Sequence, residues 1–174
     1  MSRSPRRSAG EPLRASLLDR LLDDRPAARS EARDRVELTI DELRKTVLRD
    51  VGWLLNTSRL GDEDSFDGAE DAAHSVINYG VPDLVGLTSA GLDSARLEAE
   101  IRRSILDFEP RIVARTVRVR VEVPEAEMGR NAVSFMIEGQ LWAEPAPVPI
   151  SLRSEVDLET GTVSVRDDAG TKAE

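Results

Sequence analysis

Phe108-Glu109-Pro110-Arg111 is the stretch whose reading decides the fold. On its N-terminal side, apolar residues return every three or four positions at Leu97, Ile101, Ile105 and Phe108, the stripe of an amphipathic helix. On its C-terminal side the period drops to two, with Val117, Val119, Val121 and Val123 alternating with Arg118, Arg120 and Glu122. Pro110 disfavours helical geometry at Glu109 and cannot itself continue a helix, so the helix stops there and a β-rich half begins. Three roles are open to a carboxylate held at such a junction: catalysis, a structural ion pair, or an anchor for a partner.

Upstream of the junction the pattern is helical. Thr39 is an N-cap with Glu42 at N3 to complete a capping box, and Leu38 and Leu43 stand at staple positions. Leu43, Val47, Val51, Leu54 and Leu55 line one face of a helix over 39–55, which Ile40, Leu48 and Trp53 widen; Asn56-Thr57 ends it. Gly61 to Asp71 carries six acids and reads as a surface loop. Ala69, Ala72, Ala73, Val76 and Ile77 form a second stripe, with Gly80 placed for a left-handed C′ and Pro82 blocking continuation. The apolar connection Val81 to Gly91 (Leu84, Val85, Leu87) should lie against the body. Asp93 caps the helix that leads to Phe108, with Leu92 and Leu97 as its staple and Glu98–Arg102 as an i,i+4 pair.

Downstream the pattern is that of strands. Pro124 to Arg130 reads as a turn, and Val133, Phe135, Ile137 and Leu141 alternate, with Gly139 marking a bulge or a close approach. Pro145, Pro147 and Pro149 exclude a central strand and suit a stiff connector or an edge. Ile150, Leu152, Val156 and Leu158 give a third strand, and Glu159-Thr160-Gly161 is a three-residue hairpin loop leading to Val163 and Val165. The expected class is α+β, with N-terminal helices packed on a small antiparallel β-sheet of 3–4 strands.

The organisation expected is a disordered basic tail at 1–12, a short amphipathic helix and linker at 13–35, one domain at 36–168 and a polar tail at 169–174. The short helix rests on Leu13, Leu17, Leu18, Leu21 and Leu22, and is too short to be stable alone. Charge is uneven: residues 1–35 hold nine Arg against six acids, whereas the whole chain is −9. An acidic body repels phosphate backbones, which argues against nucleic acid. No apolar run nears the roughly 18 residues that span a bilayer, and no h-region follows the early arginines. A soluble, cytoplasmic protein is expected.

Chemistry is thinly supported. The chain has no Cys and only His74, so no N/S metal site is expected, and no phosphate-loop, dinucleotide or nucleophile-elbow spacing occurs. No cofactor and no catalytic set are assigned. Glycoside hydrolysis needs two suitably spaced carboxylates, one of them protonated, and among 33 acids some pair meets that distance by chance. Glu109 is the best single candidate, but Arg111 beside it favours the ionised form, the reverse of what a general acid needs. Exposed strand edges remain as surfaces that recruit another chain.

Three segments, taken in order, resemble a known family. Val47-Leu48-Arg49-Asp50-Val51-Gly52-Trp53-Leu54-Leu55-Asn56-Thr57, Ser75-Val76-Ile77-Asn78-Tyr79-Gly80-Val81-Pro82-Asp83-Leu84 and Phe108-Glu109-Pro110-Arg111 match the motifs of TssE-type subunits, the type VI secretion members of the phage baseplate-wedge, lysozyme-like family. Ser16-Leu17-Leu18-Asp19-Arg20-Leu21 looks like the N-terminal motif of that family. The resemblance implies a non-enzymatic baseplate subunit that binds TssF- and TssG-type wedge subunits and helps start assembly of the contractile sheath. It implies partner-binding roles for Glu109, Pro110 and Arg111, and for Tyr79, Pro82 and Asp83 in the second motif. A phage-tail-like particle could use the same fold, and a peptidoglycan-cleaving muramidase is the enzymatic alternative. On the docking reading, Pro110 fixes the angle between helix and sheet, and the two charges face outward or pair with a partner. Loss of either charge should then leave a folded chain that no longer binds.

Overall fold

The computed structural model describes residues 16–21, 38–85, 93–122 and 132–168. The expected tails at 1–12 and 169–174, Leu13 and Leu22, the linker at 25–35, Leu87, Leu92, Val123 and the turn at 124–130 lie outside the described residues.

The elements run α1 (Leu17–Leu21), α2 (Ile40–Leu55), α3 (Glu70–Ala73), α4 (Ser94–Phe108), β1 (Arg118–Glu122), β2 (Ala132–Leu141), β3 (Val148–Asp157) and β4 (Val163–Asp167). The strands form one antiparallel sheet in the order β1-β2-β3-β4. This is the α+β arrangement expected. α2 packs over β4 and α4 over β1, so both long helices cover one face of the sheet. The core lies between the layers, with Val47, Val51 and Leu54 from α2, Ile101 and Ile105 from α4, and Val133, Phe135, Ile137, Leu152 and Val156 from the sheet. The other face carries exposed Arg118, Arg120, Arg153, Glu155 and Arg166.

Local chemistry accounts for most boundaries. Thr39 and Glu42 form the capping box at the start of α2, with Thr39 N donating to Glu42 Oε2 at 2.9 Å and Glu42 N donating to Thr39 Oγ1 at 3.2 Å. Asp93 caps α4 by accepting from Arg96 N at 3.1 Å. Gly161, at φ 72°, closes the β3–β4 hairpin in the left-handed conformation expected of it. Gly139 stays in register opposite Ile150 without a bulge. It marks a close approach instead, since a Cβ there would lie 2.9 Å from Ile112 Cγ2.

Four expectations need correction. The stripe from Ala69 to Ile77 is not one buried helix face: α3 ends at Ala73, a 3₁₀ turn follows at Val76–Asn78, and Val76 and Ile77 are exposed. Ser75 interrupts the helix, its Oγ donating to Ala72 O at 2.9 Å and accepting from Ile77 N at 3.3 Å. Gly80 is required by crowding rather than as a helix cap, because at φ 131° it passes so near residues 57–59 that a Cβ would meet Thr57 O at 2.2 Å. Pro149 lies inside β3, an interior strand, yet β4 reaches only as far as Leu152 on that side, so no ladder bond is lost. Glu98 and Arg102 serve β1 rather than standing as a flank pair: Glu98 Oε1 accepts from Val121 N at 2.9 Å and Arg102 Nε donates to Val117 O at 3.2 Å.

Candidate functional site

α4 ends at Phe108 with Glu109 as its C-cap, and Glu109 N still donates to Ile105 O at 2.9 Å. Beyond the exposed Pro110 the chain turns onto the sheet. Trp142 N donates to Arg111 O at 2.8 Å and Val113 N to Gln140 O at 2.8 Å, so residues 111–113 are pinned to the end of β2. Pro110 thus sits on the outside of a corner anchored on both sides.

The two charges pair with each other within the chain instead of both facing outward. Glu109 is 4% exposed and wholly engaged by Arg111. Arg111 Nε donates to Glu109 Oε1 at 2.7 Å and Nη2 to Oε2 at 2.5 Å, a bidentate fork, while the Arg111 backbone N donates to Oε1 at 3.1 Å. The same Nη2 lies 2.5 Å from Asp50 Oδ2 of α2, and Nη1 reaches Thr46 Oγ1 at 3.4 Å. Burial by itself would lower the Arg111 pKa, but Glu109 and Asp50 outweigh it and raise it. Arg111 is therefore a fixed cation joining the end of α4 to the middle of α2.

The network continues outward. Asp50 Oδ1 accepts from Arg49 Nε at 2.8 Å, and Arg49 Nη2 donates to Asp19 Oδ1 of α1 at 2.7 Å. The Arg49 guanidinium also stacks over Trp53, 4.7 Å from the ring centroid. Five charges alternate in sign from α1 to the corner: Asp19, Arg49, Asp50, Arg111 and Glu109. Beside them lies a depression of about 230 Å³ lined by Leu18, Trp53, Tyr79, Phe108, Glu109 and Arg111, among others. Tyr79 meets Phe108 edge-on at 5.1 Å, and burial, then the charges of Asp50 and Glu109, push its phenol up.

The expected site residues thus divide into two places. Tyr79, Glu109 and Arg111 converge on the depression, while Pro110, exposed between the two charges in sequence, is not part of its lining. Pro82 and Asp83 instead line a groove of about 540 Å³ with Arg59, Asp62, Arg96 and Glu100. There Arg59 donates to Glu100 Oε2 at 2.6 Å and to Asp62, and Asp83 Oδ1 accepts from Val85 N at 3.0 Å. Asp50, Arg49, Asp19 and Trp53 were not singled out as site residues from the sequence. The available signal was Arg49-Asp50, an adjacent pair of opposite charges bordering the apolar stripe of α2 and inside one of the matched motifs.

Chemically, the corner offers a held guanidinium, aromatic edges and an exposed proline beside them in sequence. Both Glu109 oxygens accept hydrogen bonds from Arg111. His74 is exposed and within 2.9 Å of Asp107. Among the described residues, no group of three or more His, Asp or Glu is placed to hold a metal, and no helix is long and apolar enough to cross a membrane.

The family model for the baseplate wedge protein gp25 matches residues 41–146, well over half of the chain. The match spans α2 to the end of β2 and includes the whole corner except α1. No curated protein and no solved structure matches the chain.

Proposed function

The chain belongs to the baseplate wedge protein gp25 family, and from that premise we propose that it is a structural subunit of a type VI secretion baseplate, working in the cytoplasm. Its TssF- and TssG-type neighbours dock at the corner of Glu109, Pro110, Arg111 and Tyr79, and Pro82 and Asp83 form a second contact in the groove that Arg59 lines. The observation that carries this reading is the corner itself. Arg111 stays one quarter exposed above a buried Glu109, so the site is rigid, charged and reachable at once.

The same fold supports a role in starting the sheath. The β1 edge is occupied by Glu98 and Arg102 from α4. At the first residue of the β4 edge the backbone is taken by Asn56, whose Oδ1 accepts from Val163 N at 2.9 Å and whose Nδ2 donates to Val163 O at 2.8 Å. From Val165 onward β4 is the edge suited to pairing with a strand of a sheath subunit. The muramidase alternative is disfavoured by the occupied oxygens of Glu109.

Co-expression with candidate TssF- and TssG-type subunits tests the docking reading, with one requirement on the variants. Because Glu109 and Arg111 are a buried pair, replacing either destabilises the fold, and lost binding would carry no information. Pro110 is exposed and outside the ion network, so Pro110→Glu is the informative change. It should abolish co-purification while the thermal midpoint stays within about 3 °C of the parent, the shift of a roughly 1 kcal/mol change in a chain of this size. Full recovery of wedge subunits by Pro110→Glu would overturn the assigned surface.

A further inference from the structure

α1 occupies the proposed docking corner, although it is only five residues long, below the length at which a helix persists in water. Its first turn is closed locally: Ser16 Oγ donates to Asp19 Oδ2 at 2.6 Å and accepts from Asp19 N at 3.2 Å. Leu17 and Leu21 stay more than two-thirds exposed, so they contribute little to holding it. Two adjacent residues carry the docking. Leu18, 43% exposed, forms one wall of the depression that Trp53, Tyr79, Phe108 and Arg111 also line, and the Asp19 carboxylate, 9% exposed, meets Arg49.

The site beneath is built for that pattern. Arg49 is stacked on Trp53 and oriented by Asp50, which Arg111 shares. With Asp19 removed, Arg49 and Arg111 leave two cations around Asp50 and Glu109, and the Arg49 guanidinium lies open to another carboxylate. The apolar floor lies directly beside it. Leu18 and Arg111 line the same depression, so a partner seated against Arg111 there also meets Leu18.

We propose that this depression is a receptor for a helical turn bearing an apolar residue followed directly by a carboxylate, that Leu18 and Asp19 close one side of it and hold its Arg49 in the free chain, and that a wedge partner helix of the same pattern displaces them. The inference rests on the corner being the docking surface. It adds a ligand chemistry and a competition that the docking reading does not contain. The tether strengthens the competition, because a segment joined to its own receptor acts at an effective concentration near millimolar.

The test uses the full-length chain and a capped peptide, Ser-Leu-Leu-Asp-Arg-Leu-Leu, followed through the Trp53 indole NMR resonance with Trp142 as an internal reference. Asp19→Lys should release α1 and bind the peptide in trans, and the parent chain should bind it about tenfold more weakly or less. An Asp-to-Asn peptide should lose about tenfold in affinity, and Arg49→Gln in the Asp19→Lys background should lose as much. In co-expression, Asp19→Lys should recover more wedge subunit than the parent. No peptide binding by Asp19→Lys, equal binding of the Asn peptide, or equal binding by the parent overturns the receptor; unchanged wedge recovery overturns the displacement. Failure of the docking reading is distinct, since it shows as a parent chain whose wedge recovery does not respond to Pro110→Glu.

Discussion

Arg111 and Arg59 each tie two carboxylates from distant parts of the chain, yet the acids they hold differ in access to water. Arg59 has the more buried side chain, 9% exposed against 25% for Arg111. Its acids, Glu100 and Asp62, are 20% and 56% exposed, whereas the Glu109 held by Arg111 is 3% exposed. The guanidinium pKa is raised in both, by the paired acids against the opposing effect of burial. What separates the two hubs is the fate of the partner when the arginine is lost. Asp62 can turn to water, and Glu109 cannot. The corner is therefore a place where charge is locked into the fold, and the groove one where it is held near the surface.

Substitution by Met, which keeps an apolar stem while removing the charge, breaks the comparison most directly. Arg111→Met should cost the most, about 3–5 kcal/mol in chemical denaturation, because Glu109 is left buried and unpaired. Arg59→Met should cost about 1–2 kcal/mol, the range for hydrogen bonds whose acceptors regain solvent. Equal losses at the two sites would show that burial of the arginine, not of its acid, sets the cost. The smallest effect belongs to the outer end of the corner network. Burial opposes ionisation of Asp19, but the Ser16 hydroxyl and Arg49 hold its carboxyl below the ordinary value of 3.8. A depressed carboxyl contributes fully above that value and is lost as pH falls through the lowered one. With Arg49 and Asp50 of α2 and Ser16 of α1 facing it, acidification below about pH 4 should shift the Trp53 indole resonance toward its position in Asp19→Lys. A resonance that moves near neutral pH instead would point to another group.

Much of the fold was legible because its signals are local. Thr39 with Glu42, Asp93, and Glu159-Thr160-Gly161 each fix a boundary through bonds spanning two to four residues. The alternation from Val133 to Ile137 gave the core face of β2 for the same reason. The misread segments are those where distant packing decides. Ile77 follows the helical period of Ala73, but the backbone must leave the helix to carry Gly80 past Thr57 and pair Val81 with Ser58. Ser154 is fully buried on the core face of β3, its Oγ donating to Phe135 O at 3.3 Å, a position that an apolar pattern passes over. At the corner, Glu109, Pro110 and Arg111 stood out as neighbours in sequence. Asp50, sixty-one residues from Arg111, completes the site, and nothing local to α2 marks it apart from its charged neighbour Arg49.

Asn56 has a mechanical consequence. An antiparallel sheet pulled along its strands loads its hydrogen bonds together, whereas one peeled from a strand end loads them one after another. β4 is the last strand, and peeling would begin at one of its ends. At Val163 the Asn56 amide takes both the backbone N–H and the C=O, and at the other end Arg44 of α2 lies 3.7 Å from Asp167 and donates to Pro149 O at 2.6 Å. Asn56, the C-cap of α2, and Arg44 within α2 thus contact the outermost strand near its two ends, so peeling β4 from either end has first to break one of these contacts.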